Sequence, residues 1–164
     1  MTRREWIDKL FREYSGDLFR YLRQFRLAED ETYDLVQNTF LKLLDVKQGS
    51  LKSPKSWLFT VGRNMALNEI KKNKRMINPE TMDDRQDDSP GALHGMISDE
   101  QKSDLYRAFE KLPENEQEIL RLSLKHGLKN LEIAKVLGKK EGAVRVALHR
   151  SREHLKDLLR EMTA

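Results

Sequence analysis

Apolar residues recur at steps of three and four along most of this chain, and nowhere do they alternate with polar ones. Over 4–25, the residues Ile7, Leu10, Phe11, Tyr14, Leu18, Tyr21, Leu22 and Phe25 fall on one helical face. Gly16 interrupts that run and marks a place for a bend or short break. A second helix is expected over about 29–46. Its first turn is acidic, which suits the positive end of a helix dipole. Leu35, Val36, Thr39, Phe40, Leu43 and Leu44 make its buried face, while Asp34, Gln37, Asn38, Leu41 and Lys42 point elsewhere. A third helix should start at Ser53-Pro54, with serine as cap and proline in the first helical position. It carries Trp57, Leu58, Val61, Met65, Ala66 and Ile70, and ends in the basic run Lys71, Lys72, Lys74 and Arg75.

Over 76–98 the periodicity dissolves among prolines, glycines and the aspartates Asp83, Asp84, Asp87 and Asp88. This stretch reads as a flexible acidic linker, largely disordered when free. A hard-cation site would need better organised ligands and a turn glycine, so a solvated linker is the default. Helical spacing then resumes with Leu105, Phe109 and Leu112. Pro113 breaks that helix and starts the next, which stops at Gly127. A short helix before Gly138 follows. The last helix runs from about 141 to the end, with Val144, Leu148, Ser151, Leu155 and Leu158 on one side. The expected fold is all-α: two small helical domains, 1–75 and 99–164, joined by 76–98.

Composition supports small units. Hydrophobic residues make up 38% and charged ones 35%. The charged share exceeds the roughly 25% of an average globular protein, which favours much exposed surface over one large core. There is no cysteine, which removes disulfides and thiolate metal sites. His94, His126, His149 and His154 lack metal-ligand spacing, and no cofactor is expected. No phosphate-cradling glycine loop or nucleophile elbow is present, which argues against an enzyme. The N-terminus has no apolar signal core and no stretch approaches ~18 apolar residues, so a cytoplasmic location is expected, without membrane insertion.

The net charge of +4 matters through its placement. Residues 130–159 have the form of a helix-turn-helix. Ala134 permits close packing and Gly138 a sharp turn. With the apolar row inward, the last helix presents Arg145, Val146, His149, Arg150 and Glu153 outward. Lys139 and Lys140 precede it, where phosphates would lie. Arginines there can reach guanine O6 and N7 in a major groove. The plain alternative is a solvated basic face. The third helix sets Trp57 and Phe59 beside Arg63, Asn64 and a basic end, a combination suited to unpaired bases. For Trp57 a core position is the preferred use. Asn64 fits either a base edge or simple exposure.

The segments YDLVQNTFLKLL, SPKSWLFTVGRNMALNEIKKNKR and LPENEQEILRLSLKHGLKNLEIAKVLGKKEGAVRVALHRSREHLKDLL, in this order, resemble the sigma-70 family. The short two-domain form is similar to its extracytoplasmic-function (ECF) group. The resemblance implies a transcription initiation factor that partners core RNA polymerase, promoter DNA and an anti-sigma factor. It implies that Asp34, Gln37, Asn38 and Leu41 meet the β′ clamp helices, and that the C-terminal domain meets the β flap. It implies that Trp57, Arg63, Asn64, Lys71 and Lys72 serve the −10 element, with loop 47–55 cradling a flipped base. Lys139, Lys140, Arg145, Val146, His149 and Arg150 would serve the −35 element. For the acidic linker, the functional alternative to a solvated tether is that it threads a basic channel of polymerase.

The chain departs from the family pattern at three places. Asn38 stands where an acidic residue is frequent. Lys140 and Ala143 stand where Ser or Thr often opens the recognition helix, so the side-chain cap is missing, at a cost of ~1 kcal/mol. Val146 and Ala147 replace polar residues of many relatives, which implies a −35 sequence unlike the commonest one. The runner-up is a stand-alone helix-turn-helix regulator. That would leave Asn64, the Trp57 segment and the polar face of the second helix without a use. A helical adaptor would leave the basic last helix without one.

Overall fold

A computed structural model describes residues 1–76 and 99–163. The linker expected at 76–98, with its aspartates, lies outside these apart from Met76. Every regular element among the described residues is helical. The chain separates into two compact units.

The first unit contains α1 (Arg3–Leu22), α2 (Glu29–Leu41) and α3 (Pro54–Met76). The starts of α1 and α3 are capped by side chains. The Thr2 hydroxyl accepts the Glu5 N–H at 3.2 Å and caps α1. The Ser53 hydroxyl accepts the Ser56 N–H at 3.3 Å, and Pro54 in the first turn forfeits no helical bond. α3 packs on both α1 and α2. Leu18, Leu22, Leu43 and Leu58 are wholly buried between them. The Tyr21 and Phe59 rings stack in this core, 4.7 Å apart and 13° from parallel.

Gly62 of α3 faces both α1 and α2. A Cβ there would sit 3.0 Å from Leu18 Cδ1 and 3.4 Å from both Leu22 Cδ1 and Thr39 Oγ1. Thr39 is buried, and its hydroxyl donates to the Leu35 carbonyl at 2.7 Å. Across the core the same hydroxyl lies 3.7 Å from Met65 Sδ on α3, so the buried polar group is satisfied.

Three details differ from expectation. α1 runs unbroken through Gly16. One glycine costs a helix only about 1 kcal/mol, and the buried face on either side outweighs it. Leu44 is 53% exposed rather than buried. The helix tightens into a 3-10 turn at Lys42–Asp45, which keeps Leu43 inside and rotates Leu44 out. Phe11 is also partly exposed, although its ring meets Phe40 edge-on at 5.0 Å.

The second unit contains α4 (Asp99–Glu110), α5 (Glu114–Leu120), α6 (Asn130–Leu137) and α7 (Glu141–Thr163). α5 starts just after Pro113 and continues as a π-helical turn, Arg121–Lys125. There the His126 N–H reaches back to the Arg121 carbonyl at 3.0 Å. The single α-helix expected before Gly127 therefore widens in its last turn. α7 packs on α4, α5 and α6 through Val144, Leu148 and Ser151, which are buried. Leu155 and Leu158 on the same side are half-buried. His154 Nδ1 lies 2.8 Å from Glu116 Oε2 and ties α7 to α5.

Gly62→Val is expected to destabilise the protein by about 1–3 kcal/mol through overpacking. Gly16→Ala, on an exposed helical position, is expected to stabilise it by about 0.5–1 kcal/mol. Chemical denaturation of the two variants tests both. Equal effects would show that the Gly62 contact carries no packing constraint.

Candidate nucleic-acid interface

The turn between α6 and α7 is built from backbone. Gly138 takes a left-handed conformation, φ 64 and ψ 37. Its N–H bonds to the Lys135 carbonyl at 3.4 Å, and the Lys139 N–H to the Ala134 carbonyl at 2.9 Å. This pair of bonds closes the end of α6 and turns the chain sharply. Only glycine takes such a φ without a steric penalty. Ala134 is buried beneath it.

α7 then begins with its Val144 N–H on the Lys140 carbonyl at 3.1 Å. Lysine has no side-chain acceptor, so Lys140 cannot cap the early N–H groups of α7. Those groups, with exposed Lys139 and Lys140 beside them, make an electropositive start of the kind that suits a phosphate. Arg145, Val146, His149 and Arg150 are all exposed. Glu141 lies 3.5 Å from the Arg145 guanidinium, a solvent-exposed and hence weak pair. It escaped the sequence analysis, although its position four residues before Arg145 was legible. Glu153 is half-buried rather than fully outward, and pairs with Lys156 at 3.3 Å.

On α3, Asn64, Lys71 and Lys72 are exposed, while Arg63 and Trp57 are half-buried. Phe59 is wholly buried against Tyr21, so it is core and not a platform for bases. Asn68 is exposed one turn beyond Asn64, and Lys72 one turn beyond that. The spacing of four aligns two amides and a cation, and Asn68 was missed because no apolar pattern points to it.

Loop 47–55 is held at both ends. The Ser50 hydroxyl donates to the Lys47 carbonyl at 2.6 Å, and the Gln48 amide to the Met1 carbonyl at 3.0 Å. Lys55 lies 3.3 Å from Asp17, and Arg20 donates to the same carboxylate at 2.7 Å. Burial by itself would raise the Asp17 carboxyl. The Arg20 hydrogen bond and the charge and hydrogen bond of Lys55 together outweigh it and hold the group below its usual 3.8.

α2 presents a third surface. Asp34, Gln37, Asn38 and Leu41 are all exposed, together with Tyr33. Tyr33, Gln37 and Leu41 follow at steps of four, beside Asp34 and Asn38. The Tyr33 ring stacks on Phe19 at 4.4 Å, and Arg23 lies 5.8 Å from the Phe19 centroid. An exposed aromatic is thus anchored at one end of the row.

Residues 10–76 match the Sigma-70 region 2 model and residues 102–155 the Sigma-70, region 4 model. The chain belongs to the sigma-70 family. It is similar to the ECF RNA polymerase sigma factor SigM of Bacillus subtilis, 26% identical over 159 residues, covering 93% of this chain and 94% of SigM. It is also 26% identical over 156 residues to the ECF RNA polymerase sigma factor SigE of Mycolicibacterium smegmatis. That match covers 93% of this chain and spans only 61% of SigE. The solved sigma factor RpoE of Bartonella quintana, in complex with the anti-sigma factor NepR, shares the fold. Its TM-score is 0.59 at 24% identity, over 92% of this chain and 96% of RpoE. Sigma factors are transcription initiation factors and not enzymes. The Sigma-70 region 2 match takes in α2, α3 and most of α1. The region 4 match contains the α6–Gly138–α7 turn. Among the described residues, no helix is long and apolar enough to cross a membrane.

Because its folded pKa is lowered, Asp17 contributes stability that is complete above the ordinary carboxylate pKa and lost as pH falls through the folded value. Asp17→Asn is expected to weaken hydrogen-exchange protection of α3 at neutral pH by about 0.2–1 kcal/mol, the range of a solvent-screened pair. The gap to the parent protein should close in acid. A gap that persists below the carboxylate range would show that the carboxylate charge is not its source.

Proposed function

We propose that this sigma factor binds core RNA polymerase through the exposed row of α2 and directs it to promoters with its two units. The polymerase-facing residues are Asp34, Gln37, Asn38 and Leu41, and the partner surface is the β′ clamp helices, with the β flap meeting the second unit. Unit 1–75 reads melted −10 DNA through Trp57, Arg63, Asn64, Lys71 and Lys72, with loop 47–55 beside them. Segment 76–98 links it to unit 99–164. That unit reads duplex −35 DNA through Arg145, Val146, His149 and Arg150, with Lys139 and Lys140 on phosphate.

One observation carries the proposal. The exposed, cationic start of α7 is set beyond the Gly138 turn, within the segment matching Sigma-70 region 4. A basic helix presented this way is dimensioned for a major groove. The RpoE–NepR complex favours an anti-sigma partner for this chain as well. The work is placed in the cytoplasm, where polymerase and chromosome are, and no reaction is assigned to the chain itself.

The chain is expected to co-elute with bacterial core polymerase and to initiate selectively from a genomic promoter library. Leu41→Asp should abolish co-elution while leaving the fold intact, since Leu41 is exposed. Arg145→Ala and Arg150→Ala should preserve co-elution and each lose roughly 1–3 kcal/mol of promoter discrimination. Tight, specific binding to duplex DNA without any polymerase complex would instead establish a stand-alone regulator.

A further inference from the structure

The outward face of α7 has an internal order. Val144, Leu148 and Ser151 set the inward direction. At about 100° per residue, the positions nearest the opposite direction are Gly142 and Val146 in the first turns and Glu153 beyond them, with His149 next on the Arg145 side. Arg145 falls on one flank and Arg150 on the other. The first turns of the helix are therefore apolar along their middle line and cationic along their edges. Val146 is 50% exposed, and a Cβ placed at Gly142 would meet nothing within 4 Å. The space in front of Val146 is open. On the Arg145 flank, Glu141 lies 3.5 Å from the guanidinium.

A lone exposed valine is ordinary on a protein surface. This one is bracketed by Arg145, Arg150, Lys139 and Lys140, whose charge selects a polyanion. With cations on the two edges of a helix in the major groove, the middle line faces the base-pair edges. The apolar group displayed there is the C5-methyl of thymine. Cytosine carries a hydrogen at C5 where thymine carries the methyl, and so offers the valine no such contact.

We infer that Val146 is a specificity-determining residue that selects thymine at one position of the −35 element by contact with its C5-methyl, with Gly142 providing the clearance. The inference rests on the proposed entry of α7 into the −35 major groove.

The test uses the complete chain assembled with core polymerase on a promoter selected from the library. Each thymine of the −35 element is replaced singly by deoxyuridine, which removes only the methyl. One position should lose affinity about three- to fourfold with the parent protein, the scale of burying one methyl-sized group. The same replacement should leave the Val146→Ala protein unaffected. Either of two results overturns the inference: no thymine is sensitive, or the loss persists undiminished in Val146→Ala. A chain that forms no polymerase complex and selects no promoter overturns the proposed function, and the inference with it. That result differs from a selective holoenzyme indifferent to the methyl.

Discussion

Burial of Val144 and Leu148 sets the rotation of α7 about its own axis, and what the second unit presents follows from that rotation. A helix packed on three neighbours has one inward row, so its outward row is determined as well. Arg145, Val146, His149 and Arg150 are exposed because Val144, Leu148 and Ser151 are not. The Gly138 turn supplies the second condition. Its backbone bonds end α6 cleanly, so that α7 starts where Lys139 and Lys140 flank its open N–H groups.

The first unit follows the same logic with tighter tolerances. Leu58, Phe59 and Ala66 face the core from α3, which leaves Asn64, Asn68 and Lys72 outside. Gly62 lets the inward row come close to Leu18, Leu22 and Thr39. On α2 the buried Leu35, Val36, Thr39 and Phe40 leave the Tyr33–Leu41 side free. In each case, packing that stabilises the unit also aims the polar face. A core substitution that rotates a helix would damage a surface it never touches.

Much of this was legible because period and punctuation agree. Ser53-Pro54 opens a helix, Gly138 ends one, and the apolar rows of α2 and α7 identify which side chains remain outside. What escaped depends on geometry that spacing does not carry. Leu44 fits the α-helical stripe, but the chain changes to a tighter helix before reaching it. Phe59 looked like a partner of Trp57 for bases, yet its ring completes the stack with Tyr21 from another helix. The π turn at Arg121–Lys125 leaves no trace in the apolar pattern. Tyr33, Asn68 and Glu141 lie one helical turn from residues already singled out. They were missed because a surface row is recognised from its members' chemistry and not from an apolar period.

The uncapped start of α7 makes the second unit's folding and its affinity for anions thermodynamically linked. An anion settling on the open N–H groups between Lys139 and Lys140 completes the helix end that no side chain of Lys140 can complete. Such an anion binds the folded unit in preference to the unfolded one, so it raises the unit's stability by mass action. The nature of the buffer anion, phosphate or sulfate against chloride, thereby becomes a variable of the unit's melting behaviour. In the proposed promoter complex the DNA backbone would take that role, and part of the binding free energy would be the completion of α7 itself.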